Sequence, residues 1–172
     1  MKESMFCFQC QETAKGTGCT VRGVCGKNST TSARMDLLLF VIRGISIAAH
    51  TLRTHRILPD PQVNAFVIDA LFSTITNANF DEKSITERIN RGFNLRNRLV
   101  AQASSAGITF PSADELTWNG APEAYDDKAA EVGVLREPNE DLRSLKELIV
   151  YGLKGMAAYT GHAMRLGYDN PA

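Results

Sequence analysis

Residues 32–52, SARMDLLLFVIRGISIAAHTL, decide the fold. Leu37, Leu38, Val41, Ile45, Ala48, Ala49 and Leu52 recur at three- and four-residue spacing, the period of a helix face and not the alternation of a half-buried strand. Apolar residues occupy so much of the circumference that this helix is expected to be mostly buried. Ser32 is the predicted N-cap, and Asp36 complements the dipole of the first turns. The most apolar run, LLLFVIRGISIAA, falls short of the ~20 residues of a membrane span and is cut by Arg43, so no membrane role is expected.

The same period continues outward from this helix. Asp60 is a predicted cap with Pro61 at the first helical position, ahead of Val63, Phe66, Val67, Ala70, Leu71 and Thr74, and Asn77 to Asn79 end the pattern. Asp81 starts a third helix with a face of Ile85, Ile89, Phe93 and Leu99 or Val100, stopping near Gly107. Residues 108–138, punctuated by Pro111, Gly120, Pro122, Gly133 and Pro138, are expected to be a surface connection with one short helix near Glu123 to Glu131. Trp118 in this stretch is assigned to packing or to an interface. Asn139 then caps a long helix with Leu142, Leu145, Leu148, Ile149, Leu153, Met156, Tyr159, Ala163 and Leu166 expected inside, Gly152 and Gly155 allowing close helix approach, and Gly167 as the stop.

No segment alternates like a strand, so the predicted class is all-α. The expected organisation is a cysteine-rich segment over 1–30, a three-helix bundle over 31–107, the connection over 108–138 and a long helix over 139–172. At 172 residues, with 44% hydrophobic and 22% charged content, the chain is long enough for one well-buried core. Nineteen basic residues balance nineteen acidic ones, which gives no reason to expect a nucleic-acid partner. Arg88, Arg91, Arg96 and Arg98 are assigned to a solvated helix face. MKESMFCFQC lacks the apolar core and cleavage site of a secretory signal, so the cytoplasm is expected.

Chemistry concentrates in CFQCQETAKGTGCTVRGVCGK, residues 7–27, which holds all four cysteines of the chain, Cys7, Cys10, Cys19 and Cys25. Disulfides do poorly in a reducing compartment and in a chain this long. A four-cysteine zinc site usually pairs two short knuckles, and only Cys7 and Cys10 make one. An iron–sulfur cluster accepts ligands from a wrapping loop, so unequal spacings suit it. Gly16, Gly18, Gly23 and Gly26 let backbone amides turn toward sulfur, and Lys15, Arg22 and Lys27 offset thiolate charge. Phe6 and Phe8 shield a cluster in one reading and are packing anchors in the zinc reading. Spacing and composition favour the cluster and leave zinc open.

The run MFCFQCQETAKGTGCTVRGVCGK closely resembles the N-terminal motif of the hybrid cluster proteins, also called prismane proteins or hydroxylamine reductases. FSTITNANFDE and NEDLRSLKELIVYGLKGMAAYTGHA resemble the same family's helical N-terminal domain, so the likeness spans essentially the whole chain. The resemblance implies a 4Fe-4S cluster held by Cys7, Cys10, Cys19 and Cys25, of the compact-spacing branch and not the 2Fe-2S one. It also implies an electron relay from a redox partner protein to downstream catalytic domains that reduce hydroxylamine to ammonia and, in some members, nitric oxide.

The family's catalytic hybrid iron–sulfur–oxygen cluster needs further cysteines, and none follows Cys25, so that cluster is not expected in this chain. His50 and His55 lie roughly 140° apart on one helix, and His162 stands alone, so they do not substitute for it. By itself the chain is expected to be inactive toward hydroxylamine. Two other classes stay open: a zinc-stabilised helical interaction domain, and a cluster-based redox or nitric oxide sensor.

Overall fold

The structure, a computed structural model, describes residues 5–75 and 78–168. Among them are six α-helices and no strand: α1 Ser29–Thr54, α2 Gln62–Ser73, α3 Glu82–Ser105, α4 Asp114–Thr117, α5 Tyr125–Val132 and α6 Glu140–Arg165. Short 3-10 turns cover Ala14–Gly16, Pro122–Ala124 and Val134–Arg136. The all-α expectation holds.

The central element is α1. Its faces meet α3, α5, α4 and α2, so Leu37, Leu38, Val41, Ile45, Ala48 and Leu52 are all buried, as the periodicity predicts. By length and apolarity α1 would be long enough to cross a membrane, but 61% of its most apolar window is buried inside this bundle, as in a core helix. Its start differs from expectation. Asn28 is the N-cap, accepting from the Thr31 amide at 2.8 Å. Ser32 lies inside the first turn and donates to the Phe6 carbonyl at 3.3 Å, tying the cysteine loop to α1.

Two other caps follow the sequence: Asp81 accepts from the Lys83 amide and Asn139 from the Leu142 amide. At α2 the start shifts by one residue: Pro61 is the N-cap and not the first helical residue, while Asp60 accepts from the Gln62 amide ahead of it. Gly107 and Gly167 follow α3 and α6 with positive φ. The expected stop of α2 includes Asn77, which lies outside the described residues. Gly92 sets the α1–α3 crossing, since a Cβ there would come within 2.6 Å of Val41 Cγ1.

Two expectations need correction. Residues 108–138 are not a surface connection: Leu116, Tyr125, Ala129 and Val132 are buried in the main core, and Trp118 packs edge-on against Phe40 with Phe93 and Tyr125 beside it. Arg96 is not solvated. It is 0% exposed and donates to the Glu115 carbonyl at 2.9 Å and Asn119 Oδ1 at 2.7 Å, which anchors α4 to α3. Arg88 pairs with Asp69 at 2.9 Å, and Arg91 lies over the Phe66 ring.

The largest difference is α6. It packs against α2 and the cysteine loop, but buries Lys154 and Ala157, while Leu142, Leu145, Leu148, Ile149, Leu153, Met156, Tyr159 and Leu166 are exposed. Gly152 and Gly155 have nothing within 4 Å of a built Cβ, so they mediate no close approach here. The apolar face assigned to the core points away from it.

A cysteine loop clamped by two helices

The four cysteines are free thiols on one loop that lies across α1 and α6. Cys7 and Cys19 are paired by reciprocal backbone hydrogen bonds of 3.0 and 2.9 Å, which fold the loop back on itself. Both are buried, while Cys10 and Cys25 are half-buried. Lys15 and Gly16, with φ of 56° and 68°, turn the chain between them. Gly18 adopts φ 133° with its Cα against the Phe6 ring, where a Cβ would clash at 2.6 Å. Glycine is therefore required there.

The polar groups around the thiols share a direction. The Ala14 amide donates to Cys19 Sγ at 3.4 Å. A Cβ on Gly23 would sit 3.1 Å from Cys25 Sγ, a tight contact that the bare backbone avoids. The Lys27 ammonium donates to the Ile75 carbonyl at 3.2 Å and lies over the Phe80 ring. Burial lowers its pKa, and the nearby sulfurs of Cys25, Cys7 and Cys10 act in the opposite sense. Burial also pushes the Cys7 thiol up, against a hydrogen bond from Ser32. The buried Thr13 hydroxyl, in the same loop, has no hydrogen-bond partner among the described residues.

Between the first two cysteines, residues 8–10 are gripped from α6. The Tyr151 hydroxyl donates to the Phe8 carbonyl at 2.8 Å, and Lys154, three residues on and 3% exposed, donates to the Gln9 backbone carbonyl at 2.8 Å and to Gln9 Oε1 at 2.6 Å. Gln9 Nε2 in turn donates to Asp36 on α1. Burial raises Asp36 to about 7 and lowers Lys154 to about 8. Glu147 and Arg43 stand around the same pair. Phe6, Phe8 and Tyr151 form a stacked ladder from the loop to α6, with ring centroids 6.5 and 6.0 Å apart.

The sequence identified the cysteines, the loop glycines and the two phenylalanines, and the structure places them along one loop with Cys7 and Cys19 bridged through their backbones. It missed Gln9, Asp36, Tyr151 and Lys154. The only signal for Gln9 and Asp36 was a polar residue between cysteines and an acid in an apolar helix; nothing marked Tyr151 or Lys154. The histidines take no part: His50 and His55 are on α1 and its cap, and His162 packs edge-on against Phe72.

The donor set is four thiols, a soft set suited to iron–sulfur clusters or zinc. Among the described residues no three Cys, His, Asp or Glu side chains gather closely enough to enclose a single metal ion. The glycine-bared sulfur of Cys25, the amide on Cys19 and the unpartnered Thr13 hydroxyl fit a larger sulfur-bound group in the loop.

Residues 5–172 match the family model described as Prismane/CO dehydrogenase family. The chain belongs to that family. It is 52% identical over 168 residues to a hydroxylamine reductase of Bacteroides thetaiotaomicron, covering 98% of this chain and 30% of that protein. Hydroxylamine reductases of Porphyromonas gingivalis and Desulfitobacterium hafniense are 48% and 50% identical, with 31% of each covered. This family member thus spans about 30% of the length of the curated relatives it matches, corresponding to the N-terminal domain of a larger protein.

Proposed function

We propose that this domain is the electron-relay module of a hydroxylamine reductase, with Cys7, Cys10, Cys19 and Cys25 holding a 4Fe-4S cluster. The observation that carries the reading is the loop itself: four free thiols, two of them joined by a backbone bridge and three of them felt by the buried Lys27 ammonium. Thiols that stand apart around a shared cation suit a cluster better than a single zinc, whose sulfurs at about 2.3 Å would draw close together. When bound, such a cluster with all its iron positions thiolate-ligated passes single electrons and leaves no site for substrate.

The chain's own residues do the rest. The Ala14 amide and Lys27 favour the more negative, reduced state of whatever the thiolates hold. Phe6 and Phe8 cover the loop from water, and Tyr151 with Lys154 fixes Phe8, Gln9 and Cys10 in place. Val21 and Val24 are exposed on the loop beside exposed Lys15 and Arg22, a surface suited to an acidic redox partner protein as electron donor. Reduction of hydroxylamine to ammonia, and of nitric oxide in some relatives, belongs to downstream catalytic domains with the hybrid cluster. The 172-residue chain alone is inactive toward hydroxylamine, and a reducing cytoplasm suits its free thiols.

The test is anaerobic purification with metal analysis, followed by dithionite reduction and EPR. About four irons per chain and a reducible spin-half signal support the relay. One tight zinc and no colour would replace it with a structural role, and cluster loss that switches partner binding would indicate a sensor.

A further inference from the structure

The apolar side of α6 faces solvent. Leu142, Leu145, Leu148, Ile149, Leu153 and Met156 are between 45% and 67% exposed. At 100° per residue they form one stripe whose centre lies roughly 130° around the helix from the midpoint of Lys154 and Ala157, the residues α6 buries. Tyr159 and Leu166 extend it. An ordinary surface helix does the reverse. Such a row exposes several hundred Å2, at or above the roughly 300–600 Å2 of the largest apolar patch on an ordinary monomer and near the ~800 Å2 each side gives to a stable interface.

Two features define what fits there. No Asp, Glu, Lys or Arg falls within the stripe between Leu142 and Leu166, the composition of a permanent interface core and not of an exchanging partner's polar contact. Gly152 lies inside the stripe and Gly155 at its margin, both with nothing within 4 Å of a built Cβ. Glycine is a poorer helix former than Ala in a helix interior, and no contact in this structure uses the small size of these two. Two glycines three residues apart admit the backbone of a second helix at close range.

We infer that the stripe seats an amphipathic helix of the same polypeptide in the longer relatives, drawn from the part of their length outside the matched 30%. The relatives match α6 along with nearly all of this chain and continue for more than as much again, so a permanent, charge-free surface on the shared domain has a permanent partner within one chain. A second copy of the domain is the rival occupant. The inference rests on the reading of this chain as one domain of a larger reductase, and not on what the cysteines bind.

The experiment places this chain in the Bacteroides thetaiotaomicron hydroxylamine reductase in exchange for its matched region, with a benzoylphenylalanine photoprobe at position 148. Irradiation is followed by peptide mapping, and α6 amide exchange is compared with that of the 172-residue chain alone. Where the chimera does not fold, the probe goes into the corresponding helix of the intact reductase. The expected result is a cross-link within one polypeptide to a helix outside the matched region, with α6 amides protected at least tenfold more than in the isolated chain. A cross-link between two copies, or α6 exchange unchanged from the isolated chain, overturns the inference. Iron measured on the same sample separates the two claims: protection without iron removes the cluster reading alone, and iron without protection removes the docking helix alone.

Discussion

Replacing Lys154 by Met tests whether the buried clamp holds the cysteine loop. The ammonium is 3% exposed and donates at 2.8 and 2.6 Å to two oxygens of Gln9, a residue that also donates to Asp36. Methionine keeps the length of the side chain and most of its packing, so the loss falls on the polar contacts. Each charge-assisted bond is worth roughly 1.5–3 kcal/mol, and the two acceptors share one donor, so a destabilisation of about 2–4 kcal/mol is expected. For a chain of this size that lowers the Tm by roughly 5–15 °C. Far-UV circular dichroism melts read it. Tyr151→Phe, which gives up only the neutral hydroxyl contacts to Phe8 and Cys10, should cost about 1 kcal/mol. In the Lys154→Met background Asp36→Asn should recover part of the loss, because the carboxyl has lost its nearby cation while an Asn oxygen still accepts from Gln9. A Lys154→Met protein within about 0.5 kcal/mol of the wild type would refute the clamp.

Three further outcomes follow from the same geometry. Asp36, raised to about 7 in the folded state from 3.8, binds its proton more tightly folded than unfolded, so its contribution is present below about pH 4 and is lost as pH rises through 7. Lys154, lowered to about 8, contributes above its ordinary 10.5 and loses it as pH falls through 8; urea melts should therefore show an acid-side slope that Asp36→Asn flattens and an alkaline-side slope that Lys154→Met flattens. Gly92→Ala should cost roughly 1–3 kcal/mol by urea denaturation, because its Cβ would sit 2.6 Å from Val41 and 3.1 Å from Phe66 at the α1–α3 crossing. Arg96→Met should cost about 2–4 kcal/mol and raise proteolysis between 113 and 120, since it strips the donor from the Glu115 carbonyl and leaves Asn119 Oδ1 with Asn97 alone; protection unchanged there would show that Arg96 does not hold α4.

What the sequence made legible was local. The period of 32–52 fixed α1 because one helix face and its buried surroundings are written in consecutive residues, and Asp81 and Asn139 cap where a side-chain oxygen can reach an amide two or three residues on. The start of α1 was harder, since Asn28, Ser29, Thr30, Thr31 and Ser32 are all able to cap, and the backbone selects Asn28 while Ser32 serves the loop. The connection over 108–138 looked like surface because Pro and Gly report turns and say nothing about what a turn rests on. Arg96 looked solvated because its acceptors, the Glu115 carbonyl and Asn119, lie nineteen and twenty-three residues away. In the site, the four cysteines announced themselves by chemistry. Lys154 did not, because its partner Gln9 is 145 residues distant and a lysine on an amphipathic helix is by default a solvated one.

The two faces of α6 show where periodicity stops carrying information. A repeat of Leu142, Leu145, Leu148, Ile149, Leu153 and Met156 says which side is apolar, and burial favours that side by roughly 25 cal/mol per Å2. It does not say which body covers it. Within this domain the opposite side is inward, and that is possible only because the residues there are satisfied: Tyr151 and Lys154 find carbonyls of the cysteine loop, and Lys154 shares its surroundings with Asp36 and Glu147. A helix with one side committed to a polar clamp and the other left charge-free belongs to two cores at once. The clamp side connects it to the thiols, and the stripe connects it to whatever packs against Gly152 and Gly155. A displacement of α6 by a helix docking on the stripe would therefore reach Gln9, and through it the backbone between Cys7 and Cys10, without touching a cysteine.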